Sequence, residues 1–363
     1  MLVTQQKILR RFWYPVIPGD RLTDSPQPFT LLRTPLVLFR DAAGKASALI
    51  DRCCHRTARL SRGWLDAGNI VCPYHGWTYA GDGRCVRIPQ RPGGDPGKGI
   101  GVEAFRCTER HGVVWVALDE PLRDIPELPE YDDPAYRRVF EFYEEWSAPG
   151  LRIMENSFDN AHFAFVHKAS FGIIDEPEPV PPRLEPHPAG FVMYADVPVK
   201  NSDIQKANLG IASDRTMRHY EKTWWMPFSR KMKVTYPNGL VHIIMTLTAP
   251  IDDRRSQVIQ FLLRSDSEAD APAENLVAFD RQVTHEDMAI LEACDHDVPL
   301  SLKGEMHMPT DQPGLEMRRM LSRLLSEHGE VEIRRDQTVI PSAARDLPRK
   351  EPPSAGDPSL RSG

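Results

Sequence analysis

In the first third of the chain, apolar positions come in short runs cut by turn residues. Leu36–Phe39 is a continuous apolar run that stops at the turn Asp41–Gly44. Trp77–Tyr79 and Cys85–Ile88 flank Gly81-Asp82-Gly83, a hairpin signal, and Val113–Leu118 reads as a further strand. This strand-rich region ends near residue 120, and the Pro-rich stretch Pro121–Pro134 reads as a linker. Beyond it the periodicity is mixed. Trp146–Phe163 has helical character. Lys231–Tyr236 and Leu240–Ala249 are strand-like around Pro237-Asn238-Gly239. Val241, Ile243, Met245 and Leu247 alternate with polar positions apart from Ile244, which predicts a sheet with one buried face. Asn275–Asp295 and Gly314–His328 read as helices. The pattern predicts an α+β chain in three parts: an all-β domain over 1–120, a sheet with flanking helices over 121–330, and a tail over 331–363. There is no internal repeat.

Composition narrows the class. The chain has 363 residues, with 45 Lys+Arg against 51 Asp+Glu. A net charge of -6 argues against nucleic acid as a partner, since phosphate binding needs a cationic face. No apolar run reaches the roughly 18–20 residues of a membrane span. The opening MLVTQQKILRRFWYP lacks the apolar core of a signal peptide, so a cytoplasmic protein is expected. Of the 33 prolines, one cluster lies over 174–188 and is expected to be a surface loop or a loop covering a site. Another lies in Pro341–Gly363, which has no aromatic residue and is expected to be disordered.

Chemistry enters with the cysteines. Cys53-Cys54-His55 is followed, after sixteen residues, by Cys72-Pro73-Tyr74-His75-Gly76-Trp77. Zinc knuckles usually pair Cys with Cys and His with His. Here each loop supplies one thiolate and one imidazole. A Rieske [2Fe–2S] centre needs that set: two thiolates on one iron and two imidazoles on the other. Spacing makes Cys53, His55, Cys72 and His75 the ligands, with Cys54 a buried spectator.

A second cluster is Glu155-Asn156-x2-Asp159-x2-His162-x4-His167. At about 100° per residue, His162 falls on the arc of Leu151 and Phe158, with Glu155 and Asp159 beside it. His162 and His167 would stand about 140° apart on one regular helix, so both reach one metal only if that helix distorts or ends. Two imidazoles and a carboxylate on one face of a metal, with other positions open, form an oxygen-activating non-haem Fe(II) site. On the helix Asn275–Asp295, Leu276, Phe279, Val283, Ile290 and Cys294 make an apolar arc. Asp287 lies inside it, Glu286 at its edge and Asp280 close by. Geometry leaves Asp287 and Asp280 both open as the carboxylate.

The C-x-H-x16-C-x2-H pattern followed by Gly-Trp, together with E-N-x2-D-x2-H-x4-H, resembles the terminal oxygenase subunit of the Rieske non-haem iron oxygenases. Within that family, Asn160–His167 and the short chain resemble the monooxygenase and demethylase branch. Cys54 stands where the oxygenases often have proline. Respiratory Rieske proteins fit poorly, since Tyr74 stands where they have cysteine. The resemblance selects Asp287 as third ligand beside His162 and His167. It implies a helix-grip-like catalytic domain, a [2Fe–2S] cluster, mononuclear Fe(II) and a homotrimer. It also implies that Asp159 bridges His162 to His75 of a neighbouring subunit as an electron path. Glu155 and Asn156 would be supporting or capping residues. Phe163, Phe165, Trp224, Trp225, Met226 and Phe228 are candidates for an apolar pocket. No dinucleotide GxGxxG unit and no plant-type ferredoxin cysteine run is present, so a separate NAD(P)H-dependent reductase or ferredoxin must supply electrons. The expected reaction is O2-dependent hydroxylation or demethylation of an aromatic or heterocyclic small molecule. Ring cis-dihydroxylation is the alternative within the fold, and a soluble Rieske electron carrier or redox sensor the alternative outside it.

Overall fold

The structure is a computed structural model that describes residues 1–335; the expected disorder of Pro341–Gly363 falls outside the described residues. Three antiparallel sheets carry the architecture. The first has six strands in the spatial order Tyr14–Pro18, Val113–Ala117, Ala104–Arg110, Ala46–Ile50, Thr34–Arg40 and Gln27–Leu31. The second is a small four-stranded meander of Trp64–Asp66, Asn69–Val71, Thr78–Tyr79 and Cys85–Arg87. The third has seven strands: Arg137–Trp146, Ser256–Arg264, Val241–Pro250, Ser229–Thr235, Arg215–Trp225, Gly190–Lys200 and Arg183–His187. Among the described residues five α-helices accompany them: α1 (Gly150–Phe158), α2 (Phe163–Val166), α3 (Asp203–Leu209), α4 (Ala273–Leu291) and α5 (Gln312–Glu327).

The alternation along Val241–Pro250 has a different meaning from the expected one. Ile243, Met245 and Leu247 are buried with Trp225, Ile259, Phe261 and Leu263 against Val113 and Trp115 of the six-stranded sheet. The opposite face is not in water. His242, Thr246, Gln260, Arg264, Arg230, Lys222 and Arg218 stand on it and are buried too. The large sheet is therefore apolar toward the N-terminal region and mixed toward the helices, where these polar groups stand among Trp224, Val234, Val258 and Leu262, and a cavity lies on that face.

The expected linker Pro121–Pro134 is a packed strap. Ile125 and Leu128 are buried in the same apolar layer as Trp115. Arg110 donates to Ile125 O at 2.8 Å, and His111 Nε2 lies 3.1 Å from Pro126 O. A third of the Pro-rich 174–188 segment is strand: Arg183–His187 pairs with Gly190–Lys200 at the sheet edge, where a proline costs no ladder bond. Residues 331–335 are tied back to the chain start; Leu2 N donates to Ile333 O at 2.8 Å and Arg334 lies 3.2 Å from Asp297.

The sheet sets where the helices begin. A Cβ at Gly150 would sit 2.7 Å from Phe228 Cγ, so only glycine lets α1 start against the turn after Trp225. The expected Trp146–Phe163 helix is the shorter α1. It stops at Phe158, and Asp159 adopts extended backbone.

Candidate metal centres and substrate cavity

The two Cys/His loops are built alike. Cys53 N donates to Ala58 O at 2.8 Å and Thr57 N to Cys53 O at 3.0 Å. Cys72 N donates to Trp77 O at 2.8 Å and Gly76 N to Cys72 O at 3.0 Å. Thr57 and Gly76, at the same step of each loop, have φ of 58° and 72°. Each loop thus curls back onto its own cysteine. Cys53 and Cys72 are each 1% exposed, while His55 and His75 stand at the rim with ring centroids 4.6 Å apart. Trp77 stacks on His55 at 4.5 Å and 6°. Two deep sulfurs under two shallow imidazoles fit a cluster with thiolates on the inner iron and histidines on the outer one. Cys54, expected to be buried, is an exposed residue, although its sulfur turns inward to the same hydroxyl as that of Cys53. Its Sγ lies 3.3 Å from Tyr79 Oη, which is also 3.0 Å from Cys53 Sγ.

The second centre forms where α1 stops. His162 is the residue before α2 and His167 the one after it, so one helical turn replaces the unfavourable 140° separation. α4 crosses this turn and adds Asp287. His162 Nε2 and His167 Nε2 are 3.2 Å apart, and Asp287 Oδ1 lies 3.4 and 3.3 Å from them. The other ring nitrogens are held by carboxylates: His162 Nδ1 by Asp159 Oδ2 at 3.1 Å, and His167 Nδ1 by Glu286 Oε2 at 2.8 Å. With protons on both Nδ1 atoms, both Nε2 lone pairs face each other and the carboxylate. Asp287 Oδ1 is buried without a hydrogen-bond partner among the described residues. Burial alone would raise the Asp287 carboxyl, but the two imidazoles outweigh it and hold it well below the usual range. Three converging lone-pair donors with nothing to donate to them fit a cation. Asp280 does not join them; it turns to His242, with Oδ2 3.7 Å from Nε2.

Supporting contacts surround the trio. Asp159 Oδ1 accepts from Ala161 N at 2.7 Å, fixing the break after α1. Lys222 Nζ donates to Ser157 O at 3.1 Å and Asn160 Oδ1 at 2.9 Å, tying that break to the sheet. Ser170 Oγ donates to Glu286 Oε2 at 2.9 Å. Glu155 faces away from the trio, paired with Arg318 and, at 3.1 Å, Arg152. Asn156 lines the cavity. Glu286, Ser170 and Lys222 were not singled out from the sequence. Glu286 had a signal as the edge residue beside Asp287; Lys222 had none, because its strand is polar at alternate positions on both faces.

His162, His167 and Asp287 open into the cavity on the helix-side face of the sheet. Phe163, Phe171, Tyr220, Tyr236 and Phe279 supply aromatic walls, and Arg218, Arg230, His242 and Gln260 polar ones. Of the six expected pocket residues, Phe163 lines it. Phe165 is 58% exposed. Trp224 and Phe228 are core residues beyond the cavity's end, and Trp225 lies on the opposite sheet face.

Residues 12–106 match the Rieske [2Fe-2S] domain family, and residues 146–327 match the vanillate O-demethylase oxygenase C-terminal domain family. The methylxanthine N1-demethylase NdmA of Pseudomonas putida is 27% identical over 337 residues, spanning 90% of this chain and 92% of its own. The dicamba O-demethylase oxygenase component of Stenotrophomonas maltophilia is 36% identical over 166 residues, 45% of this chain and 48% of its own. The solved structure of Pseudomonas putida CBB5 NdmA with caffeine superposes with a TM-score of 0.81 at 26% identity, covering 90% of this chain and 94% of that one.

Proposed function

The chain belongs to the Rieske-type terminal oxygenases of the demethylase branch, and from that premise we propose that it removes a methyl group oxidatively from an aromatic or heteroaromatic small molecule. It is the oxygenase component of a multicomponent system and carries a [2Fe–2S] cluster and mononuclear iron. The observation that carries the reading is the triangle of His162 Nε2, His167 Nε2 and Asp287 Oδ1, opening onto a cavity with aromatic walls.

In this reading Cys53, His55, Cys72 and His75 hold the cluster, and His162, His167 and Asp287 the mononuclear iron. Bound there, the two centres supply electron delivery and O2 activation. The chain's own residues do the rest. Asp159 and Glu286 fix each histidine in the tautomer that leaves Nε2 free. Lys222 pins the break that presents His162. The apolar walls place the methyl group and keep bulk water out. A ring of copies in which Asp159 meets His75 of the next subunit, a reductase or ferredoxin as electron source, and a cytoplasmic location complete the proposal. Among the described residues no helix is long and apolar enough to cross a membrane.

The test is an iron count with product analysis. About three irons per chain, and formaldehyde released from a methylated aromatic with a surrogate reductase, support the reading. Two irons and no oxygenated product would leave a Rieske electron carrier instead.

A further inference from the structure

Tyr79 is fully buried, and its hydroxyl stands between two sulfurs. Oη lies 3.0 Å from Cys53 Sγ and 3.3 Å from Cys54 Sγ. The first of these cysteines is assigned to the cluster; the second, next to it in sequence, is not. The other loop has no counterpart. Pro73 follows Cys72 there, and Cys72 Sγ faces the backbone N–H groups of Tyr74 and His75 instead. The contact between Tyr79 and Cys54 is therefore a feature of one loop, and the ligand assignment leaves it unused.

Proton supply decides the direction of both contacts. A cysteine that holds a metal is a thiolate and accepts hydrogen bonds without donating any. The Tyr79 hydroxyl has a single proton, so in the loaded protein that proton points at Cys53 Sγ. Cys54 then meets the phenol oxygen through its own S–H. The three groups form a chain: Cys54 S–H donates to Tyr79 Oη, and Tyr79 O–H donates to Cys53 Sγ. A hydroxyl that accepts one hydrogen bond donates a stronger one, because each polarises the next. The chain lies in an apolar layer, with Val37, Phe39, Leu49, Leu60 and Ile70 buried around Tyr79. Hydrogen bonds to charged sulfur are strong there, and hydrogen bonds to ligand sulfurs help to set the potential of an iron–sulfur centre. A donor favours the state with more negative charge on sulfur, which is the reduced one.

We propose that Cys54 is a positioning residue for the Tyr79 proton, and that through Tyr79 it raises the reduction potential of the [2Fe–2S] centre without ligating it. The proposal rests on the ligand assignment above and adds Cys54 to the residues that govern electron delivery. Its sulfur reaches Cys53 by way of the phenol oxygen, so its effect must vanish when residue 79 cannot relay it.

The experiment is a reductive titration of the full-length holoprotein with dithionite and redox mediators, followed by visible circular dichroism. Tyr79→Phe should lower the potential by the equivalent of about a ten-fold change in the reduced-to-oxidised ratio, about 59 mV for one electron. Cys54→Ala should lower it by about two-fold in that ratio, roughly 18 mV, the size of the strengthening that one hydrogen bond gives the next. Cys54→Ser keeps a donor and should stay closer to wild type than Cys54→Ala. In the double variant the potential should equal that of Tyr79→Phe alone, because the two residues act in series. An unchanged potential in Cys54→Ala, or a Cys54→Ala shift that persists in full beside Tyr79→Phe, overturns the proposal. So does loss of the visible spectrum in Cys54→Ala, which would make Cys54 a ligand. Should Tyr79→Phe not assemble a cluster, the Cys54 pair decides: serine above alanine supports the proposal, and equal potentials overturn it. A wild-type chain that binds no [2Fe–2S] cluster sinks the oxygenase reading as well, whereas a normal cluster indifferent to Cys54 sinks this proposal alone.

Discussion

His167 and Glu286 meet at 2.8 Å, Nδ1 to Oε2, and the residue next to Glu286 is Asp287, whose Oδ1 lies 3.3 Å from the other nitrogen of the same ring. Two consecutive carboxylates on α4 thus grip one imidazole at both ends. Glu286 is held in turn, because Ser170 donates to the same oxygen at 2.9 Å and Gln282 Nε2 to the other at 3.3 Å.

Glu286→Ala should therefore weaken mononuclear iron binding by ten- to a hundred-fold, the range found when the partner behind a metal-bound histidine is removed. The cluster, on other loops, should keep its visible spectrum. Iron retained after dialysis against a calibrated chelator measures the first, absorbance the second. Iron affinity equal to wild type would show that Glu286 does not set the His167 ring.

Asp287→Ala should lose the mononuclear iron and all turnover while keeping the [2Fe–2S] spectrum. Asp280→Asn should keep the iron, because Asp280 faces His242 and Glu141 rather than the histidine pair. The reverse pattern would make Asp280 the ligand.

At the other centre, Cys72→Ser should abolish the visible Rieske spectrum and Cys54→Ser should leave it. Cys72 is 1% exposed at the base of its loop, whereas Cys54 is an exposed residue. The Tyr79 hydroxyl is shared by Cys53 and Cys54, so the Cys54 variant should shift the cluster potential slightly without bleaching it. A colourless Cys54→Ser protein would overturn the ligand assignment.

How far the sequence could be read follows from what each signal depended on. The candidate ligands stood out because thiolates and imidazoles at fixed local spacing have few other uses. The α4 arc was legible at Leu276, Phe279 and Asp287, but failed at Ile290, which is 50% exposed because the helix ends one residue later. The break after Phe158 was not legible: Asp159 and Asn160 are tolerated in a helix, and what stops it is Lys222 and the Asp159 side chain, contacts made across 62 residues or within a turn. The strap over 121–134 looked like a linker because prolines hide the burial of Ile125 and Leu128. The helix-side sheet face resembled a solvated one, since alternation cannot distinguish water from a lined cavity.

Asp280 gives a pH signature. Burial is the main cause that raises its carboxyl to about 6, against a hydrogen bond with Glu141 and the opposing pull of Arg264, Arg218 and Arg230. Glu141, also raised by burial, faces it, so the two titrate as a pair. The folded protein then binds more protons than the unfolded chain between about pH 4 and 6, and stability falls as pH rises through that window. Asp280→Asn removes the penalty of ionising a buried acid. Its stability relative to wild type should rise by on the order of 3 kcal/mol between pH 4 and 7, from about two pKa units at roughly 1.4 kcal/mol each, the arginines' pull being already contained in the shift. Urea midpoints at the two pH values measure it; a difference that stays constant with pH would place the titration elsewhere.

The last prediction concerns Asp159, which holds His162 and still shows 30% of its side chain to the exterior. It lines an outer cavity with Glu155, Arg318 and His307, on the other side of His162 from the substrate cavity. His75 is half-buried at the rim of its loop, beside Tyr74, which is 62% exposed. Each thus offers one surface of a junction, and a head-to-tail ring of copies would bring His75 of one chain onto Asp159 of the next. Asparagine at 159 can still accept from His162 Nδ1, but not from His162 and Ala161 N together with a full charge. Asp159→Asn should lower iron affinity by less than about ten-fold, a loss that excess Fe(II) restores. Under that saturation the cluster should still be reduced by the reductase, while product in a single turnover falls more than ten-fold, because the charge that pairs with the incoming imidazole N–H is gone. Light scattering should show a ring, expected to be a trimer, for both proteins. Wild-type single-turnover yield from Asp159→Asn, or full activity from a dilute monomer, would refute the route between subunits.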